Sequence, residues 1–239
     1  MHGVDAHCHF WRLDRRDYGW LQGEGGPLAP IRRDFLPADY PGDIAMIVVQ
    51  AAPTLAETDY LLSLAEADDR IVGVIGWVDL ADPGAAAALR DRAANPKLKG
   101  IRPMLQDIAE ADWIVTAPRA DALAALGDLG LCFDALVLER HLPALAAFAR
   151  ENPDLPIVID HAAKPQPGDR AAWAEGMQTL AANARIRCKL SGLLTELSPE
   201  ERRDPLPALR AIVVPLLDWF GPDRLIWGSD WKVLTIAAS

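Results

Sequence analysis

Cysteine is scarce in this chain. Its 239 residues hold three, Cys8, Cys132 and Cys188, at spacings that form neither a CxxC pair nor a disulfide framework. That excludes a disulfide-stapled secreted scaffold and points to a reducing cytoplasm. Basic charge is short as well: 24 Lys and Arg stand against 34 Asp and Glu, a formal net charge of −10. With no basic tract, neither nucleic acid nor an anionic membrane surface is expected as a partner. No apolar run approaches the roughly 18 residues that cross a bilayer. His2, Asp5 and His7 occupy the place where a secretory leader needs a basic and then an apolar run. His2 is assigned to a mobile terminus. Histidine is rare too, five in all, yet two of them stand two residues apart at His7 and His9.

What the chain does have is apolar residue, 51% of the total, arranged in a repeating order. Short apolar runs begin at Val4, Ile44, Ile71, Leu98, Leu131, Pro156, Ile186 and Leu225. Between most of them lie Ala/Leu-rich stretches of helical spacing, such as RADALAALGDLG, RHLPALAAFARENP and DPLPALRAIVVPLLDWFG, which stop at Gly or Pro. Strands that are apolar on both faces and alternate with helices form a parallel sheet covered by helices. A count of eight predicts an α/β fold, a distorted (β/α)8 TIM barrel, with residues 1–239 forming one domain. Two places strain it. There is almost no room for a helix between Asp39 and Gly42, so Arg12–Asp34 must cross the barrel mouth as a long loop. After the last strand only VLTIAAS follows WGSDWK, so the C-terminal helix is missing or truncated. An apolar flank at Leu225 would then need another segment or a partner chain to cover it, which leaves a homo-oligomer open.

In such barrels the chemistry lies where the strands finish. The polar residues there are His7 and His9, Gln50, Asp79, Arg102, Asp134, His161, Lys189 with Ser191, and Asp230. Asp79 and Ser191 are expected to start loops or cap helices. Side chains alternate along a strand, so Asp5, His7 and His9 share the face turned into the barrel, and Cys8 and Phe10 pack outward. VIDHAAKP sets His161 directly after a strand, with Lys164 three residues on, and WGSDW sets Asp230 after the last strand, beside the first. His7, His9, His161 and Asp230 thus converge on one point. They suit one divalent ion such as zinc, or a water activated without metal. His141, in RHLPAL, is read as structural.

DAHCHFW, VVQAAPTLAETDYLLSLA, LKGIRPMLQD, HLPAL, VIDHAAKP, KLSGL and FGPDRLIWGSDW together resemble the sugar-acid lactonase group of the amidohydrolase superfamily, the L-fucono- and L-rhamnono-lactonase types. 2-Pyrone-4,6-dicarboxylate lactonase is a more distant relation. The resemblance runs along almost the whole chain in order. It implies a distorted barrel that hydrolyses a lactone ring. By motif, His7 and His9 match the first-strand pair, His161 the sixth-strand histidine and Asp230 the eighth-strand acid. Arg102 stands where binuclear members have a bridging modified lysine, and Asp134 where they have a histidine. The resemblance therefore implies zero or one divalent ion. The proline that usually follows GSDW is Lys232 here.

Hydrolysis of a lactone needs a nucleophilic water, a polarised carbonyl and a proton for the leaving alkoxide. The expected assignment makes Asp230 the general base, with His7, His9 and His161 orienting the water or holding a metal. Arg102 and Lys189 would stabilise the oxyanion or bind substrate oxygens. Gln50, Trp77, Asp134 and Trp231 would recognise a small polyol lactone. The rival readings are a metal-dependent decarboxylase of the same superfamily and a non-catalytic binding barrel.

Overall fold

The computed structural model describes residues 3–237; His2 lies outside them. All eight expected runs are strands: β1 Val4–Cys8, β2 Ala45–Val49, β3 Ile71–Gly76, β4 Leu98–Ile101, β5 Cys132–Ala135, β6 Ile157–Ile159, β7 Ile186–Leu190 and β8 Leu225–Trp227. They form one sheet in sequence order, parallel at every pairing. The helices are α1 Leu55–Ala67, α2 Ala85–Ala93, α3 Trp113–Thr116, α4 Ala120–Asp128, α5 Leu142–Glu151, α6 Ala171–Ala181 and α7 Pro205–Phe220. Their ends follow the local chemistry. Thr54 caps α1 by accepting from the Glu57 N–H at 3.0 Å. Helix α7 stops at Gly221, whose φ of 70° favours glycine, with Pro222 behind it.

The seam between β8 and β1 is closed just past the end of β8. The N–H of Asp230 donates to the carbonyl of His7 at 2.8 Å, and that of His9 donates to the carbonyl of Trp231 at 2.6 Å. Asp5 locks this seam from below, accepting from Ser229 N–H at 2.9 Å, Tyr40 Oη at 2.8 Å and the Ser229 hydroxyl. Gly228 is required here, because a Cβ at that position would come within 2.5 Å of the His7 Cβ. The closure therefore carries Asp230 to the side of the first-strand histidines.

The main core lies between the sheet and the helices and includes Cys8 of β1 and Phe10 just beyond it. A second cluster of Trp11, Tyr18, Leu21, Ile31 and Phe35 sits beneath the long loop. Each such side chain removed from water contributes about 1.5–3 kcal/mol, so the loop is a packed lid with short 3₁₀ turns. The only helical element described after β8 is the 3₁₀ turn Val233–Ile236, which packs on this cluster. At the end of the last strand Trp227 is 56% exposed, and Val214 and Leu217 on α7 are exposed too.

Candidate active site

At the mouth of the barrel is a cavity of about 270 Å³, lined among others by His9, Arg102, His161 and Asp230. His7 lies just beneath, fully buried. The Nε2 atoms of His7 and His9 are 3.1 Å apart, and Asp230 Oδ1 stands 3.4 Å from His9 Nε2 and 3.7 Å from His7 Nε2. His161 packs its ring 4.5 Å from that of His7 and meets the Ser191 hydroxyl through Nδ1 at 2.9 Å. Gly192 permits this approach, since a Cβ there would stand 2.7 Å from His161 Nδ1 and 2.8 Å from Asp230 Oδ2. Ser191 thus supports a site histidine rather than merely opening a loop. Asp79, by contrast, accepts from the Ala81 N–H at 3.0 Å, a turn contact. His141 accepts from the Leu138 N–H at 2.9 Å, ahead of α5, as a structural residue would.

His161 reaches the site through an unusual backbone. His161, Ala162, Ala163 and Lys164 have φ of 50°, 51°, 58° and 52°, a left-handed turn without a single glycine. Such conformations cost roughly 1–2 kcal/mol per residue. Strand end β6 holds the turn in place, aided by Trp173 Nε1, which donates to the Ala162 carbonyl at 2.7 Å.

The same turn exposes what strand alternation concealed. Asp160, next to His161, also enters the cluster: its Oδ1 is 3.3 Å from His7 Nδ1 and 2.8 Å from Lys189 Nζ, and its Oδ2 accepts from Arg102 Nη1 at 3.2 Å. Lys189 in turn donates to Asp134 at 2.5 Å. Burial would raise the Asp160 carboxyl, but Lys189 and His7 hold it well below its ordinary value. Burial opposes the charge of Lys189 as well, and Asp134 and Asp160 keep its ammonium protonated. Asp134 is pushed up to about 7 by burial and by Asp160, against the pull of Lys189.

These contacts correct part of the expected assignment. Lys189 is not among the residues lining the cavity; it sits behind the histidines, paired with two carboxylates. Gln50, Trp77, Asp134 and Trp231 do not line it either. Gln50 Nε2 donates to the Arg102 carbonyl at 2.9 Å, and Trp77 binds Thr58 through its backbone. Trp231 packs against Phe10, Phe35 and Tyr40. Arg102 does face the cavity, with Nη1 at 3.5 Å from His7 Nε2. Sequence reasoning passed over Gln106, Thr195, Glu196, Trp20 and Leu28, which line the cavity from loops with no strand-end signal.

Among the described residues two groups could hold a divalent ion, His7 with His9 and Asp230, and His7 with Asp160 and His161. The donor chemistry of the first fits. His9 Nδ1 is 2.8 Å from the Val49 carbonyl, an acceptor only, so Nδ1 carries the hydrogen and Nε2 offers a lone pair. His7 is kept neutral by burial, aided by Lys189 and His161 against the opposing pull of Asp160. Burial also lowers His161. Burial would raise Asp230, yet His161, His9 and His7 hold it below the ordinary carboxylate range, so it is ionised, as a metal ligand requires. Imidazole nitrogens and an ionised carboxylate at these separations form a cation-binding set.

Among the described residues no helix is long and apolar enough to cross a membrane. The chain matches the family described as Amidohydrolase over residues 4–237. It is 46% identical over 245 residues to an L-fucono-1,5-lactonase of Burkholderia ambifaria, covering 98% of this chain and 81% of that protein. A second L-fucono-1,5-lactonase, of Burkholderia multivorans, is 39% identical, with 99% and 84% covered. A solved amidohydrolase of Burkholderia multivorans with bound zinc superposes with a TM-score of 0.84 at 36% identity, over 100% of this chain and 87% of that one.

Proposed function

The chain belongs to the amidohydrolase family, and from that membership we propose that it hydrolyses the lactone ring of a sugar acid, of the L-fucono-1,5-lactone type. The observation that carries this reading is the meeting of His7, His9 and Asp230 on the floor of a small, partly polar cavity. The cavity, at about 270 Å³, suits a molecule of monosaccharide size, lying just below the roughly 300–1,000 Å³ of most ligand sites.

In this mechanism Asp230 removes a proton from a water that attacks the lactone carbonyl carbon, and the ring C–O bond then breaks with a proton going to the ring oxygen. His9, fixed by the Val49 carbonyl, presents Nε2 towards the same point and orients that water. Ser191 fixes the ring of His161 on the opposite side. Arg102 is the cation placed to stabilise the negative charge that develops on the carbonyl oxygen. Asp160 and Lys189 act behind the site, holding His7 in position. A divalent ion, zinc first, held by His7, His9 and Asp230 with His161 nearby, would supply Lewis-acid polarisation. The site takes zero or one such ion. The partner is a small-molecule lactone, and the unpaired Cys8, Cys132 and Cys188 are consistent with the cytoplasm.

Incubation with L-fucono-1,5-lactone under a pH indicator, with elemental analysis of the same preparation, tests this directly. Acid release with at most one metal equivalent per chain is expected. A metal-replete sample inert towards aldonolactones would overturn the lactonase reading, and two tightly bound equivalents would overturn the ligand assignment.

A further inference from the structure

Glu57, on α1, is fully buried, and the reaction above does not use it. Its two carboxylate oxygens reach two different parts of the chain. Oε1 accepts from the Ala51 N–H at 3.2 Å, just past the end of β2, and Oε2 accepts from Tyr18 Oη at 2.7 Å, on the long loop. Arg15 stands 3.8 Å from Oε2 but is paired more closely with Asp17, at 2.5 Å, and lies over the ring of Tyr60. Burial works against the charge of Glu57, and a well-packed apolar side chain often serves stability as well as a buried ionic group does. A carboxylate at this point calls for another reason.

The reason lies in the run of backbone to which Ala51 belongs. The carbonyls of Val49, Gln50 and Ala51, consecutive in the chain, each accept from a side chain that lines the cavity. Val49 takes His9 Nδ1 at 2.8 Å, Gln50 takes Arg102 Nη2, and Ala51 takes the Trp20 indole N–H at 2.8 Å. The Gln50 N–H still donates to the Ile75 carbonyl of β3, at 2.8 Å. The next one along, that of Ala51, has left the sheet and finds Glu57 instead. Tyr18 stands two residues before Trp20, so both sides of the Trp20–Ala51 contact are tied to one carboxylate.

Resting on the lactonase reading, we propose that Glu57 is a positioning residue for the hydrolysis. It anchors Val49–Ala51 and the Tyr18 loop to α1. Through the carbonyls of that run it sets where His9 presents Nε2 to the water and where Arg102 meets the developing oxyanion. Both groups act in the transition state, where a displacement of about 1 Å can cost 10²-fold.

The test is steady-state kinetics on L-fucono-1,5-lactone for wild type, Glu57→Leu, Glu57→Gln and Tyr18→Phe, each shown to be folded by its urea unfolding curve. Glu57→Leu offers no acceptor to Ala51 or Tyr18. Its kcat should fall by about 10–100-fold, with KM changed by less than about threefold. Glu57→Gln still accepts from Ala51 through Oε1 and can turn its amide N–H to Tyr18 Oη, so it should recover most of that loss. Tyr18→Phe removes the loop tie alone and carries the test should Glu57→Leu fail to fold. Its kcat should fall several-fold, and its Trp20 indole proton, followed by NMR, should exchange with solvent about tenfold faster. A folded Glu57→Leu with the wild-type kcat, or with a loss confined to KM, overturns the positioning role. So does a Tyr18→Phe that leaves both kcat and the indole exchange unchanged. The indole exchange is read without substrate, so its result stands apart from a failure of wild type to turn over any aldonolactone, which overturns the lactonase reading.

Discussion

Two aspartates flank His7, and they do opposite things. Asp160 and Asp230 are both buried, both follow a barrel strand and both lie within 4 Å of an imidazole nitrogen of His7. Asp160 also faces Arg102 and Lys189 and does not line the cavity. Asp230 has the imidazoles of His7 and His9 as its neighbours and opens onto the cavity. A carboxylate held by two fixed cations is a brace. One set beside imidazole rings keeps lone pairs available for a water or an ion. Residue type and burial do not separate the two; their partners do.

The largest effects should come from breaking each in turn. Asp230→Asn keeps the shape and removes the proposed base, so kcat should fall by about 10²–10⁴ with KM far less changed. A variant that melts early yet hydrolyses at the wild-type rate would make Asp230 structural. Asp160→Asn leaves Arg102 and Lys189 short of a counter-charge in the interior. Loss of one member of a buried pair costs about 3–5 kcal/mol, which should show as a large drop in the urea midpoint. An unchanged midpoint would show that Asp160 is no brace.

The pH dependence sharpens the same contrast with a smaller effect. His7 and His161 are lowered in the folded state by burial, so below the unfolded histidine value of about 6.5 the unfolded chain binds more protons. Stability should therefore fall as the pH drops below that value. Glu57 works in the opposite sense. Burial pushes its carboxyl up to about 7, despite its bond from Tyr18 Oη at 2.7 Å. Between about pH 4.5 and 7 the folded state holds the extra proton, and stability falls as the pH rises through that window. Glu57→Gln should remove this loss, worth at most about 3 kcal/mol at pH 8. Its melting temperature should gain on wild type between pH 5 and pH 8; a constant gap would contradict the assignment. Smallest of all, Trp173→Phe removes the donor to the Ala162 carbonyl that steadies the left-handed turn. About 1 kcal/mol of stability should go, seen as a lower urea midpoint.

Much of this contrast was legible in the residues, and the part that was not has a definite cause. His7, His9, His161 and Asp230 stand at the ends of apolar runs, and barrel closure brings such ends together. Asp160 stood at a strand end too, but alternation turns neighbours of a strand to opposite faces. The positive φ of His161 and the residues after it breaks that rule, and no local signal marks it, since none of them is glycine. Lys189 was misplaced for a related reason. A lysine at a strand end reads as a cation offered to substrate, and only the positions of Asp134 and Asp160 show it to be enclosed.

The sequence by itself determined the alternation of eight apolar runs with helices, the inward face of β1 and the residue types gathered at the strand ends, because these depend on periods of 2 and 3.6 that act locally. Which acid meets water, which cation is sealed and which loop residues wall the cavity were decided only by the tertiary structure. Those outcomes depend on contacts between residues far apart in the chain, such as Asp5 with Ser229, Arg102 with Asp160 and Trp20 with Ala51. The burial that makes a charge or a hydrogen bond matter exists only once the barrel has closed.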